Sequence, residues 1–215
     1  MRALVHFMIA SLFAALPQAA SARDGEGWVV SWTGSAQGPY PVGNPSAQPD
    51  QKFAFPDPAT GARDQTFRLI VRPDLWGRQA RIRLSNAFGK QPVTFDVVYV
   101  GLQSSSAALL RGSNRPVAFG GKSSITIPPG SSAWSDPVAL PFAKQPDELA
   151  IRPLAVSFHV AGESGPMTWH AKALTTSYVT APRHRRQGGA GGRVGIPLHH
   201  GILVLPRCGR DDRTH

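Results

Sequence analysis

The chain is poor in cysteine, since Cys208 is the only one among its 215 residues. A disulfide within the chain needs two cysteines, so none can form here. A domain without disulfides depends on its hydrophobic core, and a chain of this length is long enough to bury one.

Helical signals are also missing. No stretch of ten or more residues repeats its apolar side chains with the 3.6-residue period of a helix. Twenty prolines and 22 glycines argue further against long helices. A membrane-spanning helix needs about 20 apolar residues, and no segment reaches that length, so no membrane partner is expected.

A concentrated basic surface is missing from most of the chain, although the net charge is +10. Residues 183–215 alone hold seven arginines against two aspartates. In the remaining body, basic and acidic residues are interspersed, and no basic patch alternates with stacking aromatic residues. Nucleic-acid-binding proteins carry such a patch, so no nucleic-acid partner is expected.

The N-terminus has the layout of a secretory signal peptide. Arg2 supplies a positive charge, an apolar segment runs from Ala3 to Leu16, and Ala20-Ser21-Ala22 is a small-residue cleavage site. Such a segment is removed on export. We therefore expect residues 1–22 to be a signal peptide and the mature protein to be secreted or periplasmic.

Apolar and polar residues alternate with a period of two in much of the range 28–182, which is the pattern of β-strands. The clearest runs, bounded by glycine or proline, are 66–72, 80–84, 93–100, 125–127, 154–160 and 173–179. The longest run places four residues on one face: Val93, Phe95, Val97 and Tyr99. The predicted fold class is all-β, an antiparallel two-sheet β-sandwich of jelly-roll-like form over residues 23–182.

Two segments lack this alternation. Residues 38–61 are rich in Pro, Gly, Asn and Asp, with Phe53 and Phe55 as large apolar residues, and we expect a long surface loop. Residues 183–215 contain a run of arginines and a glycine-rich stretch, and only 202–205 has the composition of a strand. Such a segment buries little, so we predict a disordered C-terminal tail.

Several phrases of the body occur in a specific order. They are Trp28-Val29-Val30-Ser31-Trp32-Thr33, Gln65 to Arg72, Arg81-Ile82-Arg83-Leu84-Ser85-Asn86-Ala87-Phe88-Gly89, Val117-Ala118-Phe119-Gly120-Gly121, Ser135-Asp136-Pro137-Val138, Met167-Thr168-Trp169-His170-Ala171 and Thr176-Ser177-Tyr178-Val179. In this order they resemble the β-sandwich that precedes the catalytic domain in one branch of the SGNH/GDSL hydrolases. Proteins of this branch are exported acyl esterases, some linked to acetylated plant polysaccharides. The resemblance covers residues 28–182.

The resemblance implies a domain without catalytic residues. The family's nucleophile is the serine of a Gly-Asp-Ser block in a following α/β/α domain, and an Asp-x-x-His pair supplies the base and the group that orients it. This chain has no Gly-Asp-Ser block. Asp212-Arg213-Thr214-His215 fits Asp-x-x-His, but without a nucleophile we interpret it as a chance match. No catalytic residue, cofactor or metal site is expected, since His199-His200 lacks further well-placed ligands.

The predicted function is a non-catalytic N-terminal accessory domain of a secreted SGNH/GDSL-family esterase, whose partner is the missing catalytic domain. An independent carbohydrate-binding module with a polysaccharide partner is the alternative. A complete small hydrolase with an unfamiliar site is the third hypothesis.

Four residues are candidates for a ligand site or a domain interface. Ser85 and Asn86 begin a loop that ends at Gly89, and this loop either forms a turn or faces the missing domain. We favour the turn as its primary role. Trp169 and His170 either line a sugar-binding surface or are a partly buried strand residue and its neighbour.

The tail also has a composition that fits translation out of frame. With suitable codons for Gly195 to Asp211, reading the same bases one position later gives Ala-Phe-Pro-Phe-Thr-Thr-Ala-Ser-Trp-Phe-Phe-Leu-Asp-Val-Val-Val. This resembles the phrase by which the family's chains continue into the catalytic domain, Phe-Pro-x-Thr-Thr-x-Ser-Trp-Phe-Phe-Leu. We therefore hypothesise that a single-base frameshift near codon 183 separated the sandwich from its esterase domain.

Overall fold

A computed structural model describes residues 27–40, 51–52, 54–143, 152–170, 174–180, 193–194 and 202–206. Every regular element among these residues is a β-strand. The strands are β1 (Trp28–Trp32), β2 (Arg63–Val71), β3 (Gln79–Asn86), β4 (Val93–Ser105), β5 (Ala108–Leu109), β6 (Arg115–Pro116), β7 (Ile125–Ile127), β8 (Ser131–Trp134), β9 (Val138–Ala139), β10 (Leu154–Glu163), β11 (Ser177–Val179), β12 (Arg193–Val194) and β13 (Ile202–Pro206). These ranges contain no helix long and apolar enough to cross a membrane.

The strands form two antiparallel sheets. The first sheet has the order β1-β13-β3-β8, and β9 also pairs with β3. The second sheet is larger, with the order β12-β11-β2-β10-β4-β5, and both β6 and β7 pair with β4. The predicted all-β, two-sheet antiparallel architecture is therefore confirmed.

The core lies between the two sheets because the alternating runs point their apolar faces inward. The ring of Phe158 in β10 lies 5.3 Å from that of Phe67 in β2 and 5.2 Å from that of Phe95 in β4. Ile82 and Leu84 of β3 belong to the same core. The period-2 pattern thus identified the inward faces of β2, β3 and β10.

In β4 the predicted alternation is wrong after Phe95. Val97 has a backbone φ of 49° and is 50% exposed, whereas Val98 and Val100 are buried. Two residues of β4, 97 and 98, face the single residue Phe158 of β10, because the pairing shifts register there. This β-bulge reverses the inward and outward faces for the remainder of the strand.

The segment 38–61, predicted as a surface loop, is buried in part. Tyr40, Ala54 and Phe55 all belong to the hydrophobic core. The Tyr40 ring lies 5.6 Å from the ring of Phe55, which stacks 6.2 Å from Phe67. The segment therefore closes one side of the core, while Phe53 lies outside the described residues.

Two strands come from the segment beyond residue 182. β12 pairs with β11, and β13 lies between β1 and β3, where Val204 faces both Val30 and Arg81. Residues 202–205, the part of this segment with the composition of a strand, thus lie in β13, although the whole segment was predicted to be a disordered tail. The signal peptide, the lone cysteine, the Asp-x-x-His motif and the remainder of the predicted disordered tail lie outside the described residues.

Candidate functional site

Two loops that carry candidate residues meet at one end of the sandwich. The main-chain N–H of Phe88 donates to Oγ1 of Thr168 at 2.9 Å, although 80 residues separate them. We call residues 34–40, 85–89 and 167–170 together the loop corner. The fold therefore joins the two sets of sequence candidates into one site.

Asn86 organises the turn of the loop corner. It is 1% exposed, and its Nδ2 donates to the main-chain carbonyls of Gln91 at 2.9 Å and Ile127 at 3.0 Å. The main-chain carbonyl of Asn86 accepts hydrogen bonds from the main-chain N–H groups of Gly89 and Gly130. A Cβ at Gly89 would clash with Oδ1 of Asn86, so the turn requires glycine there. Because both side-chain N–H groups are used internally, Asn86 has the turn-forming role favoured from the sequence.

Ser85 begins the same turn. It lies at the end of β3, is buried, and pairs with Ser132 of β8. Its Oγ accepts a hydrogen bond of 3.2 Å from the N–H of Ala87. A serine that bonds the backbone two residues further on is typical of a turn.

Trp169 contributes to the core. Its ring is 3% exposed and meets the ring of Tyr40 edge-on at 5.2 Å. Its main chain is fixed by two hydrogen bonds with Gln37, one in each direction. The indole face is therefore packed against protein and is not offered to a ligand in solvent.

His170 and Phe88 are the accessible aromatic side chains of the loop corner, in which residues 35–37 and Ala87 are also exposed. His170 is half-buried, with its Nδ1 3.0 Å from the carbonyl oxygen of Ser35. That contact requires a proton on Nδ1, because a carbonyl can only accept. Phe88 is 45% exposed. The accessible part of the corner thus includes one imidazole and one apolar ring.

Asp136 closes a tight turn at another point of the fold. Its carboxylate accepts from the N–H groups of Gly120 at 3.0 Å and Gly121 at 2.7 Å, both of which have positive φ. These hydrogen bonds, with that of Gly121 the stronger, lower the pKa of the Asp136 carboxyl from its ordinary value. Its main-chain N–H donates to Ala118. The hydrogen bonds of Asp136 therefore join residues 135–138 to residues 117–121, which are two further phrases of the resemblance, and their role is to close this turn.

His159 lies between two carboxylates on the outer face of the second sheet. Its Nε2 is 3.2 Å from Asp64 Oδ1, and its Nδ1 is 4.0 Å from Asp96 Oδ2. Asp64 has a φ of 48°. Within the described part of the chain, no group of three or more His, Cys, Asp or Glu residues could hold a metal ion.

A row of aromatic and basic side chains crosses the outer face of the first sheet. The Arg81 guanidinium lies 5.6 Å from the ring centre of Trp28 and 5.7 Å from that of Trp134, and Arg83 lies 5.8 Å from Trp134. The two indoles are 38% and 39% exposed, and Val30 beside them is also exposed. We call Trp28, Val30, Arg81, Arg83 and Trp134 the tryptophan–arginine face.

Sequence reasoning missed this face. The alternation in 80–84 already directed both arginines away from the core, but it did not indicate which residues flank them. The neighbours come from β1 and β8, which are distant in sequence and lie on opposite sides of β3. Only the strand order brings Trp28 and Trp134 to the same guanidinium.

Of the two histidines among the described residues, His159 contacts the carboxylates of Asp64 and Asp96, and His170 contacts the main-chain carbonyl of Ser35. No known family model matches the chain, and a search of curated proteins finds no match either.

Proposed function

We propose that this chain is the non-catalytic β-sandwich of an exported ester hydrolase similar to the SGNH/GDSL enzymes, and that its tryptophan–arginine face packs against the esterase domain. The observation that carries the proposal is the exposure of Trp28, Val30 and Trp134 on one sheet face. Clustered exposed apolar side chains mark an interaction surface. Tryptophan and arginine are also the residues most enriched at interface hot spots.

The path of the chain favours a domain of the same polypeptide as the partner that packs on the tryptophan–arginine face. Pro206, the last residue of β13, pairs with Trp28 of β1. A domain that follows β13 is therefore connected to the sandwich at the strand position opposite Trp28. A short connection favours packing of that domain on the nearest apolar surface, because little chain entropy is lost.

Several phrases of the resemblance have structural roles in the sandwich. Residues 85–89 bond to 167–170, and residues 117–121 bond to 135–138. These phrases therefore form turns and contacts within the fold, as expected of an accessory domain without catalytic residues.

The position of β13 agrees with the frameshift hypothesis. In the shifted frame, codons 202–206 specify Ser-Trp-Phe-Phe-Leu in place of Ile-Leu-Val-Leu-Pro. The five residues encoded in either reading frame are apolar enough to form a strand between β1 and β3. We propose that the family phrase occupies this strand in an unshifted chain and leads directly into the catalytic domain.

The sugar-binding alternative has less support at this face. Sugars stack on free aromatic faces, but Arg81 already covers one face of each indole. A pull-down on acetylated xylan or pectin tests the alternative directly.

The enzymatic test uses a fluorophosphonate probe and a short-chain aryl ester on two proteins. One is the 215-residue chain, and the other is translated from the locus after restoring one base near codon 183. We expect no labelled serine and no turnover from the first, because it lacks a nucleophile block. The second is expected to be labelled at the serine of a Gly-Asp-Ser block.

Labelling of a unique serine in the 215-residue chain would overturn the proposal. A stop within a few dozen codons of the shifted frame, or the lack of a Gly-Asp-Ser block there, would overturn the frameshift. The proposed secreted or periplasmic location is checked by N-terminal sequencing of the exported protein, which should begin near Arg23.

A further inference from the structure

A groove of about 220 Å³ lies on the outer face of the second sheet, on the opposite side of the core from the tryptophan–arginine face. It is lined by Thr66, Phe67, Arg68, Ala107, Tyr178, Val179 and Thr180. Its floor is the β2–β11 pair, in which Arg68 faces Tyr178. We call it the Arg68 groove.

One wall of the groove is the tip of the β4–β5 hairpin. In the sheet, β10 and β4 lie between β2 and β5. Nevertheless, Nη1 of Arg68 donates to the carbonyl of Ala107 at the hairpin tip. The hairpin must therefore bend over the sheet, which turns a flat face into a recess.

The guanidinium of Arg68 has unused hydrogen-bonding capacity. Its Nε donates to Oγ of Ser157 at 2.9 Å, and its Nη1 donates to Ala107. A guanidinium has five N–H donors. Three donors of Arg68 thus have no acceptor among the described residues, and they include both N–H groups of Nη2.

The charge of Arg68 is also uncompensated. No described carboxylate forms an ion pair with it, and none of the described residues that line the groove is acidic. Burial lowers the pKa of the Arg68 guanidinium from its ordinary value. A partly desolvated cation without an anion costs free energy, which an incoming carboxylate would offset.

Hydroxyl groups surround this cation. Thr66, Thr180 and Tyr178 line the groove together with Arg68, and Tyr178 is the cross-strand neighbour of Arg68. A second groove of about 250 Å³ continues beyond Tyr178 and contains Arg72, Thr175 and Thr176. The pattern of an arginine with threonines therefore occurs twice, once on each side of an aromatic ring.

We propose that the Arg68 groove binds an acidic sugar unit, with its carboxylate on Nη1 and Nη2 of Arg68 and its hydroxyls on the threonines and on the phenol of Tyr178. A carboxylate matches the fork of a guanidinium, and a hydroxylated ring matches the remaining donors and acceptors. The second groove accommodates a neighbouring unit of the same chain. This site does not depend on the esterase origin proposed above.

The test is an NMR titration of the full chain with D-glucuronate, D-glucose and acetate. Glucuronate and glucose differ in the carboxylate alone, and acetate supplies a carboxylate without a sugar ring. We expect glucuronate to bind at least tenfold more tightly than either, with the largest shifts at the amides of residues 66–68 and 178–180.

Two variants locate the binding. Arg68→Gln should weaken glucuronate binding at least tenfold, whereas Arg78→Gln removes the same charge from an exposed position before β3 and should not change it. Because Arg68 also holds the hairpin, Tyr178→Phe and Thr66→Val provide a second measurement that leaves this anchor intact. Each of these should weaken glucuronate binding severalfold.

The proposal fails if glucuronate does not bind, or if it binds no better than glucose. Equal binding of acetate and glucuronate would identify an anion site without sugar recognition and would overturn the assignment. Unchanged binding in Tyr178→Phe and Thr66→Val, with shifts away from the groove, would show that Arg68 is only a structural anchor for the hairpin.

Discussion

Val97 stores backbone strain at a surface position. It has a φ of 49°, in the left-handed region that β-branched residues avoid, and its side chain is half exposed. For a residue with a Cβ this conformation costs about 1–2 kcal/mol. The positive φ of Val97 is part of the bulge that turns Val98 and Val100 inward. Burial of these two side chains offsets the free-energy cost of the strain.

Replacing Val97 with glycine should therefore stabilise the protein. Glycine adopts the same φ without strain, and after the entropy cost of glycine the expected net gain is about 1 kcal/mol. Urea denaturation measures it. Val30→Gly is the matched control, since Val30 is an exposed strand valine without a positive φ. We expect that control to be destabilised, and a loss of stability in both variants would contradict the strain argument.

Because of Asp136, the free energy of unfolding should depend on pH in the acidic range. The amides of Gly121 and Gly120 lower the pKa of its carboxyl below 3.8, the ordinary value it takes when unfolded. A depressed folded-state pKa gives a contribution that is fully present above about pH 4 and is lost as the pH falls through the folded pKa. This carboxylate is solvent-exposed, so the effect is modest.

The variant Asp136→Asn should be less stable than the wild type at pH 7, because one of two amide donors loses its acceptor. The difference should shrink as the pH falls below about 4, since the wild type then loses its own carboxylate. Thermal melting from pH 2 to pH 7 measures both proteins. A constant difference across this range would show that the charge of Asp136 is irrelevant.

At the scale of elements, β13 supports the first sheet. It pairs with β1 along Trp28–Trp32 and with β3 over residues 81–83. Among the described strands, β13 is the only ladder partner of β1. The second sheet is less dependent on the tail, since its central strand β10 pairs with both β2 and β4, and all three strands lie before residue 182.

A chain that ends at residue 182 should therefore lose order in β1 selectively. We expect the amides of Trp28–Trp32 to exchange with deuterium roughly tenfold faster or more, because each lost backbone hydrogen bond contributes about 1 kcal/mol. Amides of β2 and β10 should keep their protection. A chain that ends at residue 206 retains β13 and is the control. Full protection of β1 in the shorter chain would contradict the pairing.

At the scale of the whole molecule, the two outer faces differ in character. The first sheet presents indoles and arginines, and the second sheet presents a recess with Arg68 at its floor. An uncovered apolar face promotes association between copies. We therefore expect the isolated chain to be only marginally soluble.

The double variant Trp28→Ser, Trp134→Ser should reduce that association, because it removes both exposed indoles. Light scattering over a concentration series measures the effect. Leu110→Ser is the control, since Leu110 is exposed to the same degree but lies next to β5 of the second sheet. A wild-type chain that stays monomeric at high concentration would contradict the expectation.

The sequence by itself determined the fold class and most inward faces. Alternation in 66–72, 80–84 and 154–160 depends only on neighbouring residues, and a strand translates that order directly into two faces. The turn role of Asn86 was also predictable, because Asn and Gly favour the special backbone angles of turns. Both inferences depend on local chemistry alone.

Tertiary structure decided whatever depends on distant partners. The bulge at Val97 arises where β10 faces β4, so no local pattern in 93–100 reveals it. Tyr40 and Phe55 are buried because their loop closes the core, which their polar surroundings in sequence concealed. The tryptophan–arginine face and the Arg68 groove both follow from strand order. Sequence periodicity specifies which face a residue occupies, and only the folded sheet specifies its neighbours on that face.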